Sequence, residues 1–62
     1  MTRTEIYKAY IAANRHTRSF DYAYGKTPAS AQAAVRRKNS PDWHDLFTWV
    51  VYVHEDGQEE RL

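Results

Sequence analysis

The chain has 62 residues, 42% of them hydrophobic, and no cysteine, which suits one small domain and excludes a disulfide framework or a cysteine-based metal site. No apolar run approaches the roughly 20 residues of a membrane span, and none has the pattern of a signal peptide. The formal net charge of +1 hides an asymmetry: residues 1–40 carry eight basic and two acidic side chains, whereas residues 41–62 carry one basic and six acidic ones.

Two strands are predicted in the first 25 residues. Residues 4–13 are rich in aromatic and β-branched side chains and contain no breaker, which favours a strand. Residues 18–24 place an aromatic ring at every second position, the period of a strand with one apolar face. Residues 14–17 are the predicted turn between the two strands.

The register of this hairpin follows from the length of its turn. A two-residue turn centred on Arg15 and His16 would pair Ala9 with Tyr22. We therefore expect one face to carry seven side chains: Tyr7, Ala9, Ile11, Ala13, Phe20, Tyr22 and Tyr24.

A helix is predicted after the second strand. Thr27 and Pro28 form a hydroxyl N-cap followed by proline at the first helical position, and residues 29–38 are alanine-rich. Asn39 is the expected left-handed C-terminal cap, and Pro41 prevents continuation of the helix.

The last third of the chain predicts a short helical turn at 40–45, the strongest strand at 46–54 and a frayed, charged tail at 57–62. We expect four side chains of this strand to face the helix: Phe47, Trp49, Val51 and Val53.

The element order predicts an α+β fold, ββαβ, with a three-stranded antiparallel sheet of order 2-1-3 and one helix packed on one face. Ala31, Ala34 and Val35 form an apolar stripe on the helix. Small residues on the helix would then pack against large aromatic residues on the sheet.

Basic residues gather at the end of this fold where the first turn meets the helix C-terminus. One interpretation is a site that contacts phosphate or an acidic protein; the other is a solvated turn with cations that complement the helix dipole. Asp42 and Asp45 lie at the same end and partly offset the positive charge. The basic residues are Arg15, His16, Arg18, Arg36, Arg37 and Lys38.

The sheet face away from the helix is a second candidate, because one helix covers only one side of a sheet. Lys8, Tyr10 and Tyr52 are its candidate binding residues, either for stacking on bases of single-stranded nucleic acid or for a tyrosine-rich protein contact. An ordinary exposed face is the alternative. The predicted residues of this face are Ile6, Lys8, Tyr10, Ala12, Asp21, Ala23, Thr48, Val50 and Tyr52.

The remaining polar residues form no catalytic or metal-binding motif. The three histidines lie apart in sequence, and Asp42, His44 and Asp45 do not have the spacing of a known ligand set. Trp43 either covers the edge of the core or anchors an interface. We expect no enzymatic activity, no cofactor and no bound metal.

The layout resembles small proteins of phages and mobile elements, including some anti-CRISPR proteins. The resemblance lies in the strand at 6–10, the helix opening at 27–34 and the tryptophan-containing last strand. It implies inhibition by contact with a host protein in the bacterial cytoplasm. Many such inhibitors are strongly acidic mimics of nucleic acid, and the +1 charge of this chain departs from that pattern.

The sequence thus predicts a small non-enzymatic binding protein that occupies a macromolecular surface, most concretely a phage-type inhibitor of a host defence or nucleic-acid-processing complex. The alternative is a nucleic-acid-binding domain that uses the basic end and the aromatic face. Homodimerisation through the uncovered sheet face is a further possibility, and no membrane partner is expected.

Overall fold

An antiparallel sheet with one helix on one face forms the structure, a computed structural model that describes residues 5–62. The elements are β1 (Tyr7–Ala12), β2 (Ser19–Gly25), α1 (Pro28–Lys38), a 3₁₀ turn (Asp42–Asp45), β3 (Phe47–Val53) and β4 (Glu59–Arg61). The strand order β2-β1-β3-β4 confirms the α+β class and the predicted order of the first three strands. Thr4, the predicted start of the first strand, lies outside the described residues.

The fourth strand was not expected, and the prediction of a frayed tail is wrong. His54 donates its backbone N–H to Gln58 at 2.8 Å, and Gly57 donates to His54 at 2.9 Å. Gly57 has φ 91°, a left-handed conformation that glycine adopts without a Cβ clash. This tight turn folds the charged tail back, so that Glu59 pairs with Val53 and Arg61 pairs with Val51.

The helix begins and ends at the predicted residues, but its C-terminal cap differs from the prediction. Thr27 accepts a hydrogen bond from the N–H of Ser30 at 3.1 Å, and the Ser30 hydroxyl accepts from the N–H of Thr27 at 3.0 Å, a reciprocal capping box. Asn39 has φ −115° and ψ 19°, so the prediction of a left-handed cap is wrong. Its side-chain amide instead donates to the Val35 carbonyl at 2.8 Å, which satisfies a helix-end carbonyl without a positive φ.

The hairpin register differs by one residue from the predicted one. Tyr10, not Ala9, pairs with Tyr22, and the register shifts again next to Ile11. The connection is a loop over 13–18 rather than a two-residue turn. Its Asn14 side chain accepts from the N–H of His16 at 2.8 Å, an arrangement typical of Asx turns.

The pairings of β1 with β2 and with β3 reverse the predicted faces of both partner strands. The residues of β1 occupy the predicted faces. On β2 and β3, five residues that were predicted to face away from the helix face toward it instead. They are Asp21, Ala23, Thr48, Val50 and Tyr52. Conversely, the residues predicted to lie under the helix face away from it: Phe20, Tyr22, Tyr24, Phe47, Trp49, Val51 and Val53.

The helix lies close to the sheet at Gly25, which limits the size of the side chains at that point. A methyl group on Gly25 would lie 2.5 Å from the Ser30 hydroxyl oxygen and 2.7 Å from the Ala31 Cα. An aromatic ring at such a contact would hold the helix away from the sheet. Small residues therefore meet small residues, and the helix-side core consists of Ala9, Ile11, Ala31 and Val35, with Tyr7, Ala23, Trp43, Leu46 and Val50 packed around it.

Candidate binding surface

The sheet face opposite the helix carries six aromatic rings and no covering element among residues 5–62. Cross-strand pairing and alternation along the strands place its residues side by side. We call it the open face: Lys8, Tyr10, Ala12, Phe20, Tyr22, Tyr24, Phe47, Trp49, Val51, Glu59 and Arg61.

Tyr10 lies at the centre of a network of rings that spans three strands. Its ring stacks on Trp49 with centroids 5.4 Å apart and planes at 24°, and it lies 6.3 Å from the ring of Tyr22. Trp49 contacts Phe47 at 5.6 Å, and Tyr22 contacts Tyr24 edge-on at 5.7 Å. These distances are those of favourable aromatic pairs, so the rings hold one another in place.

Lys8 projects into this network. Its Nζ lies 4.3 Å from the centroid of Tyr22, 4.7 Å from that of Tyr10 and 5.5 Å from that of Tyr24, all within cation–π range. It also lies 3.3 Å from Glu59 Oε2, and only 14% of the Lys8 side chain is exposed. Burial lowers the pKa of Lys8, but Tyr10 and Glu59 together outweigh it and raise the pKa above its ordinary value.

Glu59 connects the outermost short strand to β1. Both of its carboxylate oxygens accept from the Tyr10 hydroxyl, at 2.6 and 2.7 Å. Burial, followed by this hydrogen bond, raises the pKa of Tyr10. On the same strand the Arg61 guanidinium lies 5.6 Å from the Trp49 ring. Two side chains of β4 thus reach across β3 and along the open face.

Exposure is uneven across the open face. Its most exposed large side chains are Phe20 at 57%, Tyr22 at 47% and Tyr24 at 41%, and all three lie on the edge strand β2. The opposite edge carries the charged Glu59 and Arg61. The apolar contact area is therefore concentrated on the β2 side, with a polar border along β4.

The predicted basic end is only partly assembled. The Arg36 guanidinium lies 4.5 Å from the Trp43 ring. Lys38 donates to Asp21 Oδ1 at 3.0 Å and to the Tyr22 carbonyl at 2.7 Å. Lys38 is the main reason why the pKa of Asp21 is lowered. These contacts are structural, so two of the six predicted basic residues already have partners within the fold.

The other basic residues are exposed but do not form one site. Arg15 and His16 line an open depression with His44 and Asp45, and Arg18 and Arg37 are exposed. Within residues 5–62 no cluster of three or more histidine, aspartate or glutamate side chains could hold a metal ion. The depression combines positive and negative groups and is not a strongly basic patch.

Three candidate binding residues were predicted on the uncovered face. Lys8 and Tyr10 lie on it, and Tyr52 does not. Tyr52 makes an edge-on contact with Tyr7 at 5.4 Å on the helix side. Glu59 was not among the predicted site residues, because a charged tail gives no sign of a strand. The alternating rings of β2 were recognised but assigned to the wrong face.

No protein-family model, curated protein or solved structure matches this chain. The functional argument therefore rests on the geometry described above. No helix in the described part of the chain is long and apolar enough to cross a membrane.

Proposed function

We propose that this chain is a non-enzymatic binding protein that covers a surface of another protein with its open face. The observation that carries the proposal is the group of six aromatic rings on a sheet face that no element within residues 5–62 covers, including the three exposed rings on β2. Tyrosine, tryptophan and arginine are the residues that dominate protein interfaces. Such rings contribute large contact areas at a small cost in side-chain entropy.

The charges of the open face favour a protein over a nucleic acid as the partner. Single-stranded nucleic acid needs a positively charged groove along its phosphates in addition to stacking rings. Lys8 is 14% exposed and lies 3.3 Å from Glu59, so its charge is already balanced. Arg61 remains the one other basic group of the face as defined above. A nearly neutral aromatic surface with a polar border is typical of protein interfaces.

The most concrete form of this proposal is a phage-type inhibitor that blocks a host protein in the bacterial cytoplasm. Its support is the order of strands and helix read from the sequence, which resembles that of small phage inhibitors. The exposed Arg15 and Arg18, in the loop that leads into β2, would attract an acidic border on the target and accelerate association.

The proposal is tested by affinity capture from a bacterial host lysate with three forms of the protein: the wild type, the Tyr22→Ala/Tyr24→Ala variant and the Arg37→Ala variant. Each captured protein is then purified and titrated directly. We expect a target whose affinity falls at least about tenfold for the double variant and is unchanged for Arg37→Ala, since Arg37 lies on the helix. Equal binding by all three forms would contradict the assignment of the open face.

The nucleic-acid alternative is tested in parallel by fluorescence anisotropy with labelled single- and double-stranded oligonucleotides. We expect dissociation constants no tighter than the roughly 10⁻⁴–10⁻⁶ M of generic contacts at physiological salt. Sub-micromolar binding that weakens steeply with salt, and that Tyr22→Ala/Tyr24→Ala abolishes, would replace the protein-binding proposal with the nucleic-acid one.

A further inference from the structure

Large apolar side chains are unequally distributed between the two faces of the sheet. Among residues 5–62 the buried apolar side chains are three alanines, two valines and one isoleucine, and only Ile11 and Val35 are both large and fully buried. Six of the nine aromatic rings of the chain lie on the open face. A domain of this size has little stability to spare without additional burial. The largest source of such burial is therefore the open face, which no element of the described part of the chain covers.

An occupant that covers the open face in the absence of a target would add to the stability of the folded state. The one occupant present in every preparation of this protein is another copy of the same chain. We propose that two copies pair through their open faces about a twofold axis, and that target binding requires this homodimer to dissociate. The inference rests on the proposed function, because it describes how the same face is regulated.

The charge distribution of the open face permits self-pairing. A twofold axis brings identical groups toward each other, and unpaired like charges near the axis would repel. Lys8, the central cation, is paired with Glu59 within each copy at 3.3 Å. The exposed rings of β2 lie away from the charged β4. A twofold axis near Tyr22 therefore gives an aromatic centre and leaves Arg61 at the border.

The size of the open face also fits a dimer. Three strands of six or seven residues and the three-residue β4, spaced about 4.8 Å apart with a rise of about 3.3 Å per residue, span at most roughly 19 by 20 Å. A face of that span covered with side chains offers on the order of 600 Å² per copy, which is the lower limit for specific, stable pairs. Such an interface is strong enough to protect the rings and weak enough for a target to compete.

Analytical ultracentrifugation of the wild-type protein from about 1 to 500 µM is the primary test, with thermal melting over the same range. We expect a reversible monomer–dimer equilibrium and a melting temperature that rises with protein concentration. Phe20→Glu should raise the dimer dissociation constant at least about tenfold, because Phe20 is the most exposed ring of the face. Ala33→Glu, which adds the same charge at an exposed position of α1, should leave it unchanged.

A wild-type protein that stays monomeric at every concentration, with a constant melting temperature, would overturn the inference without the use of any variant. A dimer that Phe20→Glu does not weaken would also overturn it, because the interface would then lie elsewhere. Neither result affects the capture experiment. The opposite outcome is also distinguishable. If the wild type and Tyr22→Ala/Tyr24→Ala capture the target equally while Phe20→Glu weakens the dimer, the proposed function is refuted and the homodimer inference stands.

Discussion

Replacing Tyr10 by phenylalanine removes one hydroxyl group from the open face and keeps the ring. That hydroxyl donates to Glu59, 2.6 Å from Oε1 and 2.7 Å from Oε2. A hydrogen bond to a charged group contributes about 1.5–3 kcal/mol to stability. The Glu59 side chain is 33% exposed, so we expect the lower value, about 1.5 kcal/mol. For a domain of this size that loss corresponds to a decrease of roughly 6–12 °C in melting temperature.

The assay is denaturant unfolding followed by tryptophan fluorescence and circular dichroism, at one fixed protein concentration because association contributes to stability. A double-mutant cycle that combines Tyr10→Phe with Glu59→Gln should give a coupling energy of about 1 kcal/mol. Tyr24→Phe is the matched control on the same face, and its effect should stay within about 0.5 kcal/mol. A coupling energy of zero, with Tyr10→Phe as mild as the control, would refute the view that Glu59 holds β4 in place.

Three further predictions concern the fold. Gly25→Ala should destabilise the protein by about 2–3 kcal/mol, because the added methyl group clashes with α1. Gly57→Ala should cost only about 1 kcal/mol for its positive φ, because no atom lies within 4 Å of the added methyl group. Equal free energies of unfolding for the two variants would contradict this. Ile11→Ala should cost about 2–5 kcal/mol, close to the whole stability of such a domain, and a melting curve like that of the parent would place Ile11 outside the core. Because Lys38 lowers the pKa of Asp21, the ionised carboxylate stabilises the fold above its ordinary pKa of 3.8, and this stabilisation is lost as the pH falls through the lower pKa of the folded state. The melting temperatures of the wild type and Asp21→Asn should therefore converge in acid. A difference in melting temperature that persists at pH ~2 would rule out this titration.

The open face shows what a local sequence pattern predicts and what it does not. The alternation of Phe20, Tyr22 and Tyr24 correctly predicted a strand with one aromatic face, but it contains no information about which face meets the helix. The assumed two-residue turn decided that question wrongly. The longer loop and the register shift near Ile11 arise from the Asn14 turn and from packing, which the alternation of side chains does not report.

The sequence by itself determined the class of the fold, the positions of its first three strands and the position of the helix, because strand alternation, the Thr27–Pro28 cap and Pro41 are local signals. The order of these strands was an expectation from short antiparallel connections, which the structure confirmed. Only the tertiary structure decided which face carries most of the rings, since the pairing of β2 and β3 with β1 turns Tyr22, Tyr24 and Trp49 away from the helix, and α1 lies so close to Gly25 that even a methyl group there would clash. It also decided that the acidic tail is a strand, because Glu59 has its partners in β1, 49 and 51 residues away. The basic and acidic halves of the sequence thus partly neutralise each other in space, where Lys8 of β1 and Glu59 of the edge strand β4 form an ion pair on the open face.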